Sequence, residues 1–261
     1  VWAADGWLMG LGALDFAGGT VVHISSGISA LVCAMVLGKR LKTESEKPAA
    51  HNITMTLLGT AMLWFGWFGF NAGSALSVGF VATAAFVNTH IAAASGALVW
   101  IAVSSFLHKK TKTIGAASGA VAGLVAITPA AGFVTPMSSI VIGSAASLCC
   151  FFVIEHVVKQ RVDDALDVFG VHGIGGIVGA LLTGVFATTV VNPDGANGLL
   201  YGNSGQLLIQ ALAVVAVIIY AAVVSFVLLK LVNATLGLRV SDQDEESGLD
   251  ISHHGEKAYQ I

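Results

Sequence analysis

Leu14-Asp15-Phe16-Ala17-Gly18-Gly19-Thr20-Val21-Val22-His23 opens an apolar run that continues to Gly38, and Leu166-Asp167-Val168-Phe169-Gly170-Val171-His172 opens another. In each, an aspartate precedes a glycine-containing stretch and a histidine inside a segment long enough to cross a bilayer. Ionisable groups at membrane depth are costly, face a bundle interior or cavity, and mark a substrate or ion path. Two such histidines in two similar settings point to one central site shared by a diverged internal repeat, the kind of arrangement found in transporters. The repeat is approximate, because His23 lies eight positions after Asp15 and His172 five positions after Asp167.

Working outward, 56% of the residues are hydrophobic and only 10% are charged, against about 25% charged in a soluble globule. Stretches of about 20 apolar residues, the length of a spanning helix, lie near 12–38, 53–75, 80–107, 114–134, 135–158, 169–192 and 206–229. This predicts an all-α polytopic membrane bundle of about seven transmembrane helices. The boundary between the fourth and fifth spans is the weakest, since Pro129 and Pro136 bracket a turn that carries no charge. A transmembrane unit over 1–236 and a polar tail over 237–261 are expected, with the lipid bilayer as the surrounding partner and nothing that suggests nucleic acid.

The basic residues set an orientation. Lys39, Arg40, Lys42, Lys47, Lys109, Lys110, Lys112, Lys159, Arg161, Lys230, Arg239 and Lys257 all follow odd-numbered spans. Short basic loops stay cytoplasmic, so the amino end is expected outside and the carboxyl end inside a cell membrane. The tail holds six acids against Arg239 and Lys257, about −4 of the net −3, and reads first as a solvated face. Cys33, Cys149 and Cys150 suit neither a zinc site nor a disulfide frame and read as packing residues. Gly115, Gly119 and Gly123, like Gly175 and Gly179, recur every four residues and predict close helix packing. The chain opens on Val1 without a signal-peptide pattern.

Several chemistries fit poorly. A retinal photoreceptor needs a lysine midway along a late helix, whereas the last span has only Lys230 at its end. A metal transporter would place thiolates or carboxylates beside its histidines. An intramembrane hydrolase would show a nucleophile and base or His-Glu-x-x-His, and neither is present. No enzyme, cofactor or metal site is therefore expected. Asp15 and Asp167 each stand at the start of an apolar helix, where capping free amides is the plain role and proton transfer the alternative. Trp2 and Trp7 read as interfacial anchors on composition alone, and His90 as a satisfied core histidine.

Five motifs carry a resemblance. Asp15-Phe-Ala-Gly-Gly-Thr-Val-Val-His23, Trp67-Phe-Gly-Phe70-Asn71-Ala-Gly-Ser74, Gly123-Leu-Val-Ala-Ile-Thr128-Pro129, Asp167-Val-Phe-Gly-Val-His172-Gly, and Gly248-Leu-Asp250 with His254-Gly-Glu256-Lys-Ala-Tyr259 resemble, in order and from end to end, the Amt branch of the Amt/Rh ammonium transporters. That resemblance implies part of the eleven-helix inverted-repeat fold, assembled as a homotrimer with one pore per subunit. The chain would match helices five to eleven and lack the first four with their phenylalanine gate, as part of a protein that begins earlier.

The same resemblance implies site roles. His23 and His172 match the histidines that face each other across the pore. Trp2 and Ser74 match an aromatic ring and a hydroxyl that recruit ammonium at the outer mouth, leaving Trp7 as the anchor. Trp67 and Phe70 match aromatics close to the path, and Leu63 and Val168 fall on or beside it, although Phe70 and Leu63 also read as plain packing. Asp15 matches an acid that shapes the outer site, with Asp167 as its counterpart. The substrate would be ammonium or ammonia, with methylammonium as an analogue. A PII-type nitrogen-signalling protein would close the cytoplasmic face. An ammonium sensor on the same bundle is the alternative function, although only about 25 polar residues follow the last span to carry a signal. Deleting Asp250–Ile261 from the complete protein is expected to impair uptake of labelled methylammonium while leaving membrane insertion intact.

Overall fold

The computed structural model describes residues 1–41, 50–158 and 161–257, all helices and connecting loops, with no strand among the described residues. Lys42, Lys47 and Lys159 of the basic junctions and Ala258–Ile261 of the tail motif lie outside the described residues. After a short helix α1 (Trp7–Gly10) come α2 (Gly19–Leu37), α3 (Ile53–Gly73), α4 (Phe80–His108), α5 (Thr113–Ile127), α6 (Pro136–Val158), α7 (Phe169–Phe186) and α8 (Ser204–Thr235). Two short tail helices follow, α9 (Asp242–Ser247) and α10 (Leu249–Ser252).

Six of these, α2, α3, α4, α6, α7 and α8, are long and apolar enough to cross a membrane. Helix α5 is the exception, with 15 residues and a length of about 22 Å against a hydrocarbon core of about 30 Å. The expected fourth span, drawn to residue 134, thus stops at Ile127. Pro129 has no amide to continue the ladder, and the chain turns through Ala130 and Phe133 before Thr135 caps α6 through the Ser138 amide (3.4 Å) with Pro136 in the first turn. The spans drawn as 12–38 and 169–192 also shorten, because residues 12–18 and 187–192 are loop.

Local chemistry sets the other boundaries. Asn52 caps α3 by accepting the Met55 amide (2.9 Å). Ser241 caps α9 by accepting the Asp244 amide (3.2 Å) and donates to the Asp244 carboxylate. Asn88, fully buried on α4, donates to the carbonyls of Ala131 (2.8 Å) and Val134 (2.7 Å), holding the turn between α5 and α6. Gln210 of α8 accepts the Leu14 amide (2.7 Å) and donates to the Leu14 and Ala180 carbonyls, tying the loop before α2 to α7 and α8.

In lipid, helices associate through close packing and polar contacts, so small residues lie at the crossings. A Cβ on Gly123 of α5 would sit 2.1 Å from the Ala92 carbonyl of α4, and one on Gly179 of α7 would sit 2.2 Å from the Ala126 carbonyl of α5. The glycine rows therefore serve packing, as their spacing suggests. Helices α2 and α7 run in opposite senses and cross closest at Gly27, where a Cβ would lie 2.2 Å from the Gly173 nitrogen.

The loops sort to two ends. At one, Phe16 and Ala17 donate to the carbonyls of Pro129 and Thr128, and Thr188 donates to Phe133. At the other, Arg40 grips Asp163, with its Nε 2.9 Å from each carboxylate oxygen, and Arg239 donates to the carbonyls of Leu37 (3.1 Å) and Lys39 (2.7 Å). Glu245 accepts the Leu41 amide (2.6 Å) and an Arg239 Nη (2.9 Å). These two donors hold its carboxyl below the ordinary value. The tail acids are thus not simply a solvated face, since one of them docks the tail against the end of α2.

Two further expectations change. Cys150 is buried against the Val171 carbonyl, whereas Cys149 is exposed, so only one of that pair packs the core. His90 is exposed on α4, beside the rings of Trp64 (5.5 Å) and Phe68 (6.1 Å) of α3, because no other described element covers that face. Gly27→Leu is expected to lower the unfolding free energy by about 2 kcal/mol or more, as overpacking at a tight contact does. A fall in the melting temperature of the complete protein in detergent would register it, and an unchanged value would show that the crossing tolerates bulk.

Candidate functional site

Both histidines sit in π-helical turns, Gly19–Ile24 at the start of α2 and Phe169–Gly173 at the start of α7. Such wide turns are rare, and they recur at functional sites. The first is anchored by Asp15, a carboxylate 7% exposed, which accepts the amides of Gly18 (3.1 Å), Gly19 (2.6 Å) and Thr20 (2.9 Å) together with the Thr20 hydroxyl. Free amides and the positive helix end both favour a carboxylate there. Gly18 enters the turn at φ 120°, in the left-handed region that favours glycine.

At the second turn a further aspartate accepts a backbone amide. The Phe169 amide donates to the Asp164 carboxylate (2.7 Å), while Asp167 takes a left-handed backbone (φ 55°) and its carbonyl accepts the Val171 amide (2.8 Å). Asp164 is thus an amide acceptor at the second turn, as Asp15 is at the first. Asp167 and Asp164 also lie at the Arg40 end of the bundle, opposite Asp15, as the reversed senses of α2 and α7 require. Asp15 and Asp167 are thus not grouped at one end of the bundle.

The two turns bring the imidazoles together. His23 Nδ1 lies 3.1 Å from His172 Nδ1, with ring centroids 5.2 Å apart. His23 is 2% exposed, whereas His172 is half-buried. The Trp67 ring stacks on His23 at 5.3 Å, and Phe70 meets His23 edge-on at 6.0 Å. Beneath them is Thr128, the last residue before Pro129, whose hydroxyl lies 3.2 Å from His23 Nε2 and 3.0 Å from Trp67 Nε1. Ile24, Leu124, Val125 and Val171 keep the surroundings apolar.

The other expected residues lie around this centre. Trp2 is half-exposed, donates from Nε1 to the Asp15 carbonyl (2.8 Å), and lies over Gly18, at the start of α2. Ser74 donates to the Phe70 carbonyl (2.8 Å), which leaves its oxygen able to accept. Val168 immediately precedes the second π turn. Leu63 is 47% exposed on α3, one turn before Trp67, and is not drawn into the imidazole cluster. Thr128 is the residue that reading along the chain missed. Its motif was visible, but a threonine before a proline has an ordinary reading as a helix end.

The described helices form an apolar bundle in which two oppositely running helices present imidazole rings to each other. The Ammonium Transporter Family model matches residues 1–259, and the chain belongs to that family. It is 53% identical over its whole length to an ammonium transporter of Bacillus subtilis, covering 64% of that protein. It is 49% identical to ammonium transporter Amt1 of Archaeoglobus fulgidus, with 97% of the chain and 64% of the relative covered. The crystal structure of Saccharomyces cerevisiae Mep2 superposes with a TM-score of 0.86 at 39% identity, covering 92% of this chain and 56% of that one. A structure titled Sensor Amt Protein superposes at 0.84 and 32% identity, covering 95% and 62%. The chain thus spans less than two thirds of the length of these relatives.

Asp15→Asn is expected to destabilise the complete protein by about 2–3 kcal/mol, because one carboxylate serves several buried donors and an amide cannot replace both oxygens. Thermal unfolding in detergent measures the loss, and a change of under about 0.5 kcal/mol would reduce Asp15 to an ordinary surface cap.

Proposed function

We propose that the complete protein carries ammonium across a cell membrane by binding the ion at an outer mouth, removing its proton, and passing ammonia along an apolar path at His23 and His172. The observation that carries this reading is the 3.1 Å approach of two imidazole nitrogens in apolar surroundings, in a chain of the ammonium transporter family.

The energetics favour the neutral species. An unpaired ion entering a low-dielectric core loses solvation worth tens of kcal/mol on idealised estimates. Giving up a proton costs roughly 3 kcal/mol for an amine whose pKa lies about two units above ambient. Neutral ammonia then needs a narrow path with a few hydrogen-bonding groups, and neutral imidazole supplies one donor and one acceptor.

At the mouth, Trp2 offers a π face worth about 0.5–1 kcal/mol when exposed and about 2 when desolvated, and the Ser74 oxygen accepts. Trp67 and Phe70 hold the first imidazole in place, Val168 and Leu63 flank the path, and Asp15 and Asp167 support the two ends. The amino end faces outward, and the tail, over residues 237–261, lies in the cytoplasm beside the membrane unit of residues 1–236. The reading includes a homotrimer, methylammonium as an alternative substrate, a PII-type partner at the cytoplasmic face, and transport without enzymatic chemistry. The likeness to a structure titled Sensor Amt Protein supports a second reading, in which the same bundle senses ammonium.

The test is ammonium current and methylammonium uptake in the complete protein beside His23→Ala and His172→Ala. Both substitutions are expected to remove most ammonia conduction or to replace it with passage of the cation. Transport like that of the unaltered protein in both variants would overturn the relay.

A further inference from the structure

We infer that Thr128 is a positioning residue that fixes the proton arrangement of both imidazoles, leaving His172 Nε2 as the open proton acceptor of the pair. Its functional consequence rests on the transport reading above, while the arrangement itself rests on hydrogen-bond chemistry alone.

Thr128 Oγ1 lies 2.7 Å from the Leu124 carbonyl oxygen, which can only accept, so the single hydroxyl proton goes there. The indole Nε1–H of Trp67, 3.0 Å away, can only donate and occupies one lone pair of the threonine oxygen. His23 Nε2, at 3.2 Å, meets the remaining lone pair and must donate as well. The hydroxyl's one proton and two lone pairs are then all used, and His23 carries its proton on Nε2.

In neutral imidazole the other nitrogen is a bare acceptor. His23 Nδ1 therefore accepts, and its 3.1 Å contact with His172 Nδ1 requires the proton to come from His172. Neutral His172, protonated on Nδ1, leaves Nε2 unprotonated. His172 is also the more exposed of the two rings, since His23 is 2% exposed. The donations thus run from His172 to His23, from His23 to Thr128 and from Thr128 to the Leu124 carbonyl, and the open end at His172 is a base.

For transport this sets a direction. One N–H bond of the arriving ammonium breaks, its proton forms a new N–H bond at His172 Nε2, and ammonia leaves with the electron pair. The Nδ1 proton of the resulting imidazolium can shift to His23 Nδ1, which then donates at both nitrogens. It goes no further, because the Thr128 hydroxyl is already donating to Leu124. The charge is held on the two rings and returns by the reverse of these steps.

Nitrogen-15 spectra of histidine-labelled complete protein in liposomes read the proton positions directly, and single-histidine substitutions assign them. The unaltered protein at neutral pH is expected to show His23 protonated at Nε2 and His172 at Nδ1. Thr128→Val, which keeps the shape and removes the oxygen, is expected to weaken the His23 preference roughly three- to ten-fold, the size of one net hydrogen bond. Thr128→Ser should restore it. His23 protonated at Nδ1 in the unaltered protein, or a preference unmoved by valine, would overturn the inference whatever the transport rates. The expected proton positions, together with uptake insensitive to His23→Ala and His172→Ala, would support the inference and defeat the transport reading.

Discussion

The approach of α2 to α7 at Gly27 and Gly173 governs the rest of the site. With no side chain on either residue the two backbones come within van der Waals distance, and only then can His23 and His172 share a 3.1 Å contact. Neither ring is brought to the other by mutual attraction alone, since a single imidazole–imidazole hydrogen bond contributes about 1 kcal/mol net. Packing does that work, and the hydrogen bonds then select an orientation. The buried amide of Gln210 keeps the Leu14 loop seated against α7 and α8, so the entry to α2 is held from behind as well as from the crossing.

The polar ends explain why the reversed helices keep their pitch. Asp15 gathers amides at one end, and Asp164 receives the Phe169 amide at the other. Beside Asp164, Asp163 binds Arg40 at the foot of α2, and Glu245 of the tail binds the next residue but one along from Lys39 while also holding Arg239. The foot of α2, the approach to α7 and the tail therefore form one hydrogen-bonded cluster.

Much of this was legible along the chain and some was not. The spans follow from apolar length, and the two aspartate-to-histidine stretches mark the centre. The glycine rows gave the crossings because a four-residue spacing maps onto one helix face. The losses have physical causes. Helix α5 ended early because Pro129 breaks the ladder inside a stretch that hydropathy reads as continuous. Asp164 as an amide acceptor was not legible, because capping depends on a backbone path that spacing does not reveal. Thr128 escaped because its meaning lies in the meeting of Trp67, His23 and Leu124, which stand 61, 105 and 4 residues away. His90 read as core because apolar neighbours in the chain do not say which face a helix turns toward its partners.

The π-helical turns carry a last implication. Each accommodates an additional residue relative to a regular helix, and one residue rotates a helix face by about 100°. Were either turn to tighten into regular α-helix, its imidazole would swing toward a different neighbour while the remainder of the rod stayed seated. The meeting of the rings is therefore a property of two short, locally wound segments, separable in principle from the scaffold that carries them.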